Sequence, residues 1–494
     1  MPVKRELNEK YNIISAIYGR VFIEWQGLDM KTIVEKLLER EARYRLCEKE
    51  INGFQYWQYE RFYISRCMRQ ADQVVLGQGK VNVWKVLQYY LRNSGRPQRR
   101  TPIEVCFISH PRRQFVDGYY ECIYTDELAQ RFPDSVTIEK FFEKKHVNPI
   151  KSANVLYMDR STIESEVYEK LMSLFGRKKR ISDRIYRELA EALNGLLTEE
   201  QIIKISRHAS GDYYRYQYLR KRLRRMMKQI NPKIVVEVVS YGFKCMIINE
   251  ICKDLGILTI ELQHGWLGKE HIAYNYAFDG VIRQFPDKLC LFGDYYKTRA
   301  AFPIQQKDLM VTGFPYYERE LQKYSEYKRQ DTRYTVLFLS QGMYVRFLPQ
   351  LAVDLRKMTK DEEVRILYKL HPGEYSNWKQ TSPILQENGI EIIGLKDMPL
   401  YECFANSDMQ IGAYSTTIYE GLGFGLRTLI FDQNSEQYAW ELIEEGIAER
   451  IESAGDIIEK IQNQEAVRYD ISYFWKGNAL CNLEHELRMQ LSHL

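Results

Sequence analysis

Twice along this chain, short unbroken apolar runs alternate with stretches of helical periodicity, and this alternation constrains the fold more than any other feature. From residue 103 the runs are "IEVCFISH", "ANVLYMD", "KIVVEVVS", "ILTIELQHG", "KLCLFG" and "DLMVTG", with "GFKCMIINEICKDLG" as one of the intervening helices. A second series opens at "TVLFLSQG" and continues through "VRILYKLHPGE", "IEIIG", "MQIGAYSTT" and "TLIFDQ". Its helices are "LPQLAVDLRKMT", "LYECFAN" and "TIYEGLGFG". Strands buried on both faces read as continuous apolar runs, and their alternation with helices marks doubly wound parallel sheets. The expectation is an α/β fold of two Rossmann-like domains facing a cleft, with an N-terminal helical extension. Residues 1–100 form the extension, 101–330 the first α/β domain, 331–453 the second, and 454–494 a helical tail packing back on the first. Such sheets bind ligands beyond the carboxyl ends of their strands.

At 494 residues the chain exceeds one ordinary core, which agrees with this division. The net charge of +5 is slight for the length and does not argue for nucleic acid, and no zinc-finger, RRM or KH pattern is present. Nine cysteines without a C-x-x-C pair fit reduced thiols and oppose a disulfide framework or zinc site. The first residues lack a continuous apolar segment of signal-peptide type, and no run is long enough for a membrane span. A cytoplasmic protein without metal or cofactor is expected. One stretch suggests contact with the inner face of the plasma membrane: "YYRYQYLRKRLRRMMKQ", residues 213–229, puts Arg215, Arg220, Lys221, Arg222, Arg224, Arg225 and Lys228 on one helix. Its charges are either a solvated face or a surface for anionic lipid or a lipid-linked glycan, centred on 213–228.

Three features of the second series fall at the ends of expected strands. Ser340, Gln341 and Gly342 follow "TVLFL"; Lys369, His371 and Pro372 lie in "KLHPGE"; Ser415, Thr416 and Thr417 precede a helix that carries Glu420. Hydroxyls and backbone N–H groups at a helix start make a natural phosphate site, and a neighbouring lysine or histidine adds charge-assisted bonds. The ordinary reading of the Ser/Thr cluster is an N-cap. In the first series, "ILTIELQHGWLG" carries Glu261 and His264 to the end of a strand, so the imidazole is either a satisfied core group or is delivered into the cleft. After the first strand, "ISHPRRQFVDGYYE" offers His110, Arg112 and Arg113 for an acceptor carboxylate or phosphate. Asp117 before Gly118 is either a turn or a base.

The segments "KLHP" and "YSTTIYEGLGFGLRTLIFD" resemble the nucleotide-binding half of GT-B glycosyltransferases and glycerophosphotransferases that build bacterial surface polysaccharides, among them sialyl- and Kdo-transferases and teichoic-acid polymerases. The resemblance covers roughly residues 103–450. It implies that His371 with Pro372, and Ser415 with Thr416, hold the donor phosphate, and that Glu420 meets the donor sugar or ribose. "LQHGWLG" is similar to the histidine–glycine segment of capsule and teichoic-acid transferases, which makes His264 the catalytic candidate, with Glu261 as support or as the base. The acidic pair before glycine in related transferases would assign the base to Asp117, but Val116 stands where the first acid of that pair belongs. The implied function is transfer of a sugar from a CMP- or UDP-linked donor to an oligosaccharide or lipid-linked glycan acceptor in capsule or lipopolysaccharide synthesis. A polyol-phosphate transferase, a nucleotide-sugar epimerase and a non-catalytic assembly partner are the alternatives.

Overall fold

The structure, a computed structural model, describes residues 30–68, 102–111, 113–140, 146–152, 154–278, 280–327, 329, 331–341, 347–386, 389–394, 397–413, 416–431, 439–463 and 468–494. Two compact units result. The larger takes the described residues up to Tyr316 and resumes at Lys476–Leu494; the smaller is Tyr317–Trp475.

The larger unit begins with helices α1 (Met30–Tyr44) and α2 (Tyr56–Met68). Its sheet contains β1 (Val105–Ile108), β4 (Ser135–Glu139), β5 (Val155–Tyr157), β6 (Ile234–Val238), β7 (Leu258–Leu262), β8 (Lys288–Leu291) and β9 (Leu309–Val311). Between β1 and β4 a small antiparallel hairpin, β2 (Arg113–Val116) and β3 (Tyr119–Cys122), stands apart from that sheet. The sheet order is β5-β4-β1-β6-β7-β8-β9, and every pairing is parallel. The chain therefore builds outward from β1 in one direction, then returns to lay β6 on the opposite side and proceeds the other way. Helix α3 (Glu199–Ile230) leads into β6, and α4 (Phe243–Leu255) leads from β6 to β7.

Helices α1 and α2 belong to the core of this unit. Arg61 of α2 is buried and bonds Glu41, the carbonyl of Ile272 at 2.5 Å and the carbonyl of Asn275 at 2.7 Å. A guanidinium removed from water has to be paired and hydrogen-bonded in this way, and the result fastens α2 to the loop after β7.

The smaller unit has β10 (Tyr334–Leu339), β11 (Val364–Lys369), β12 (Glu391–Ile393), β13 (Met409–Gly412), β14 (Arg427–Phe431) and β15 (Ala448–Ile451). The order β12-β11-β10-β13-β14-β15, again parallel throughout, reverses between β10 and β13. Val336, Phe338, Ile366, Ile411 and Leu429 fill its core together with Leu351 and Leu355 of α5 (Leu348–Met358). Helix α6 (Thr416–Gly423) approaches β13 so closely that a Cβ on Gly421 would lie 2.0 Å from Oε1 of the buried Gln410. Gln410 cannot easily yield, because its Nε2 is bonded to the Ile418 carbonyl and the Thr428 hydroxyl, each at 2.8 Å. Gly421→Ala is expected to destabilise this unit by about 2 kcal/mol, read as a lower midpoint in a denaturant titration.

Helix α7 (Ala479–His493) ends the chain on the larger unit, where Arg488 lies over the Phe132 ring at 5.0 Å and donates to the Arg131 carbonyl. Among the described residues no helix is long and apolar enough to cross a membrane.

Candidate functional site

In a doubly wound sheet the crevice lies beyond the carboxyl ends of the strands where the order reverses. In the larger unit that point is between β1 and β6. His110 lies two residues past β1, Ser240 and Tyr241 lie just past β6, and His264 lies two residues past the next strand, β7. The turn after β6 is strained. Val239 has φ 61°, and a β-branched residue in the left-handed region costs about 1–3 kcal/mol. The turn brings the Ser240 N–H to Glu261 Oε1 at 3.0 Å and the Tyr241 hydroxyl to His264 Nε2 at 3.3 Å.

Glu261, His264 and the loop after β7 form a connected chain of polar groups. The Tyr274 hydroxyl donates to Glu261 Oε1 at 2.7 Å, leaving its oxygen to accept from His264 Nδ1, 3.5 Å away. That contact places the ring proton on Nδ1 and leaves Nε2 as the basic nitrogen. Glu261 is fully buried, and burial carries its carboxyl up to about 7. Its Oε2 has no hydrogen-bond partner among the described residues. His264 keeps 16% of its side chain exposed, so a solute can reach the imidazole. His110 is buried with its ring 6.4 Å from that of His264, and Tyr124 donates to the His264 carbonyl at 2.8 Å. The arrangement can accept a proton at Nε2 and stabilise the resulting imidazolium through Tyr274 and Glu261.

Other residues proposed from sequence lie elsewhere. Asp117 and Gly118, φ 51° and 84°, form the turn of the β2–β3 hairpin, and Asp117 is exposed at its tip. Two positive φ values in succession are what a tight hairpin turn demands, so turn chemistry explains the pair. Arg113, expected from sequence to meet an acceptor, has partners inside the protein. It is buried, with Nη1 3.3 Å from Asp126 and Nη2 on Glu139, so its guanidinium is engaged inside the protein. Arg112 lies outside the described residues. The basic face of α3 is also largely committed. Arg215 pairs with Asp212, Arg222 with Glu164 at 2.7 Å, and Arg220 and Arg224 with Asp254 at 2.8 and 2.7 Å. Lys221, Arg225 and Lys228 remain exposed on it.

In the smaller unit the reversal point lies between Ser340 and Gln341, past β10, and Ala413, past β13. The loop after the adjacent β11 carries His371 and Pro372. Ser340 Oγ donates to Glu374 Oε2 at 2.6 Å, and the His371 N–H reaches the same oxygen at 2.9 Å. His371 Nδ1 accepts from the Gly373 N–H at 3.2 Å, which puts the ring proton on Nε2, where it can be donated to an anion. Burial pushes this imidazole below its ordinary range, and an Nδ1 that accepts from Gly373 belongs to the neutral ring. Thr416 is exposed at the first residue of α6, Thr417 is half-buried beside it, and Glu420 sits one turn on, its carbonyl accepting from the Tyr317 hydroxyl. Gly342 and Ser415 lie outside the described residues.

Lys369 is likewise engaged within the protein. Its ammonium is buried and donates to the carbonyls of Gly394 at 2.9 Å and Met398 at 2.7 Å, pinning the loop after β12 rather than facing the reversal point. Glu374, absent from the sequence-based set, organises the site by joining the loops after β10 and β11. Its signal was available: a glutamate three residues after His371, with proline between, has capping-box spacing. Tyr241 and Tyr274 carried no comparable signal.

No sequence-family model and no curated protein matches the chain. Among solved structures it is similar to UDP-GlcNAc 2-epimerase from Methanocaldococcus jannaschii, at 13% identity over 80% of this chain and 100% of that one, with a TM-score of 0.48. It is similar to UDP-GlcNAc 2-epimerase from Neisseria meningitidis bound to UDP-GlcNAc, at 10% identity over 79% and 100%, TM-score 0.43. A glycotransferase of kitacinnamycin has 12% identity over 79% and 96%, TM-score 0.42. Folds of this class host many unrelated chemistries, so function has to be read from this chain's own side chains.

Proposed function

We propose that the chain is a glycosyltransferase that moves a sugar from a CMP- or UDP-linked donor to a growing bacterial surface polysaccharide. The reading rests chiefly on one observation: at the reversal point of the smaller sheet, Glu374 ties Ser340 to a loop that presents a neutral His371 with its proton on Nε2. With the N-terminus of α6 one strand away, this is a phosphate-binding arrangement, and a departing nucleotide would leave with its charge stabilised by those N–H groups. Pro372, Gln341, Thr416 and Thr417 shape the same edge. On the larger unit, His264 is the general base for an acceptor hydroxyl, and Glu261 and Tyr274 are its positioning residues.

Calorimetry with CMP, CDP, UDP and GDP tests the donor half. One of these nucleotides should bind, and His371→Ala should weaken it by about 10- to 100-fold, the worth of one hydrogen bond to a charged group. An unaltered affinity in that variant would remove the phosphate role. Donor incubated without acceptor should keep its sugar configuration; an isomerised sugar would replace the transferase reading with an epimerase.

A further inference from the structure

The larger unit contains a cavity of about 430 Å³ whose lining includes Lys140, His208, Asp212, Arg215, Gly242 and Lys244. These residues come from three places: Lys140 directly follows β4, His208, Asp212 and Arg215 lie on α3, and Gly242 and Lys244 bracket the start of α4. We propose that this cavity binds the phosphate group of a phosphorylated sugar unit, and that this unit belongs to the growing polysaccharide acceptor on which His264 acts.

The charges on the cavity's own lining point to an anion. Asp212 is the acid in this set, and Arg215 already pairs with it. Beneath them Glu60 is fully buried and bonded to His208 Nδ1 at 2.8 Å. Lys140 and Lys244 add two further positive charges, and Gly242, the N-cap of the 13-residue α4, brings no side-chain oxygen to that helix start. Burial, followed by repulsion from Lys140, lowers the Lys244 ammonium to about 8 against the opposing pull of Asp159 and Glu166, and a dianion in the cavity would counter both effects. Glu60, His208 and Asp212 have ligand atoms within 4.8 Å of one another, which raises the question of a divalent cation. Arg215 on Asp212 and two lysines in the same cavity oppose one electrostatically.

Size and position suggest the rest of the ligand. A cavity in the range of about 300–1,000 Å³ suits a small organic molecule better than inorganic phosphate alone. Gly242 lines the cavity while its neighbour Tyr241 touches His264, so the turn after β6 joins the two, and the proposed sugar runs along it. The word acceptor rests on the transferase reading; phosphate binding does not.

The test is calorimetry on the full chain with glucose 1-phosphate, inorganic phosphate, glucose and the nucleotide found above. Glucose 1-phosphate should bind, phosphate should compete, and glucose alone should not bind at the same concentration. Lys140→Met and Lys244→Met should each weaken glucose 1-phosphate at least ten-fold and leave nucleotide affinity unchanged. Absence of glucose 1-phosphate binding, or equal binding by both variants, would overturn the proposal. Should either variant fail to fold, amine acylation of the wild type mapped by mass spectrometry decides: phosphate should slow modification of Lys140 and Lys244 but not of Lys228, and no protection overturns the site. Sugar-phosphate binding without nucleotide binding would leave the cavity standing and remove the transferase.

Discussion

His264→Ala is expected to lower turnover by about 10²- to 10⁴-fold, the usual contribution of a positioned general base, while nucleotide affinity stays unchanged. The expectation follows from the direction of the hydrogen bonds. Tyr274 gives its proton to Glu261, so its oxygen can only accept from His264 Nδ1, and the basic lone pair is left on Nε2. Alanine removes that lone pair and touches none of the groups assigned to the donor. Single-turnover product formation with saturating donor gives the measurement. Tyr274→Phe separates positioning from proton transfer: it keeps the imidazole but releases its tautomer, so the pH profile of turnover should move while part of the rate survives. Wild-type turnover in the alanine variant would end the base assignment.

The strands most legible in the sequence are those whose residues are apolar because both faces are covered. "KIVVEVVS" and "TVLFLSQG" became β6 and β10, central strands with nearly every side chain buried. Besides the hairpin strands β2 and β3, two strands were not legible. β4, "SVTIE", is buried throughout although three of its five residues are polar, because its glutamate meets Arg113 and the carbonyl of Ser135 accepts from Asn154. β15, "AERI", is an edge strand whose Glu449 pairs with Arg427 at 2.8 Å. In both cases long-range pairing replaces the local apolar signal that sequence reading depends on.

The same cause divides the site residues. His264 was legible because a histidine and a glycine ended an apolar run, and His371 because proline fixed it in a loop. Arg113 and Lys369 looked equally available from their neighbours in sequence, yet their partners come from other segments: Glu139 for the first, Gly394 and Met398 for the second. Tyr241 and Tyr274 were hidden by number, since a chain with 37 tyrosines gives no reason to choose two. What the sequence conveyed was which loops matter; which polar groups are already spent is a tertiary property.

Glu261→Gln is expected to make the protein more stable than the wild type above neutral pH, by about 3 kcal/mol if the whole cost of ionising this buried carboxyl is expressed. Burial carries the carboxyl from its ordinary 4.5 up to about 7. Between those values the folded protein holds a proton that the unfolded chain has released. Its stability therefore falls as pH rises through that window, being fully present below 4.5 and lost above about 7. Glutamine has no such step. Its carbonyl can still accept from Ser240 and Tyr274, and its amide occupies the place of the Oε2 that has no partner. Glu60, also pushed up to about 7 by burial, titrates alike in both proteins and cancels in the comparison. Denaturant unfolding at pH 5 and pH 8 reads the difference: the variant should gain on the wild type between the two values, because only the wild type must hold an ionised carboxylate in a site built for the neutral acid. A gap that stays constant with pH would mean that Glu261 is ionised throughout, and the imidazolium of His264 would then have a permanent counter-ion rather than one that titrates with it.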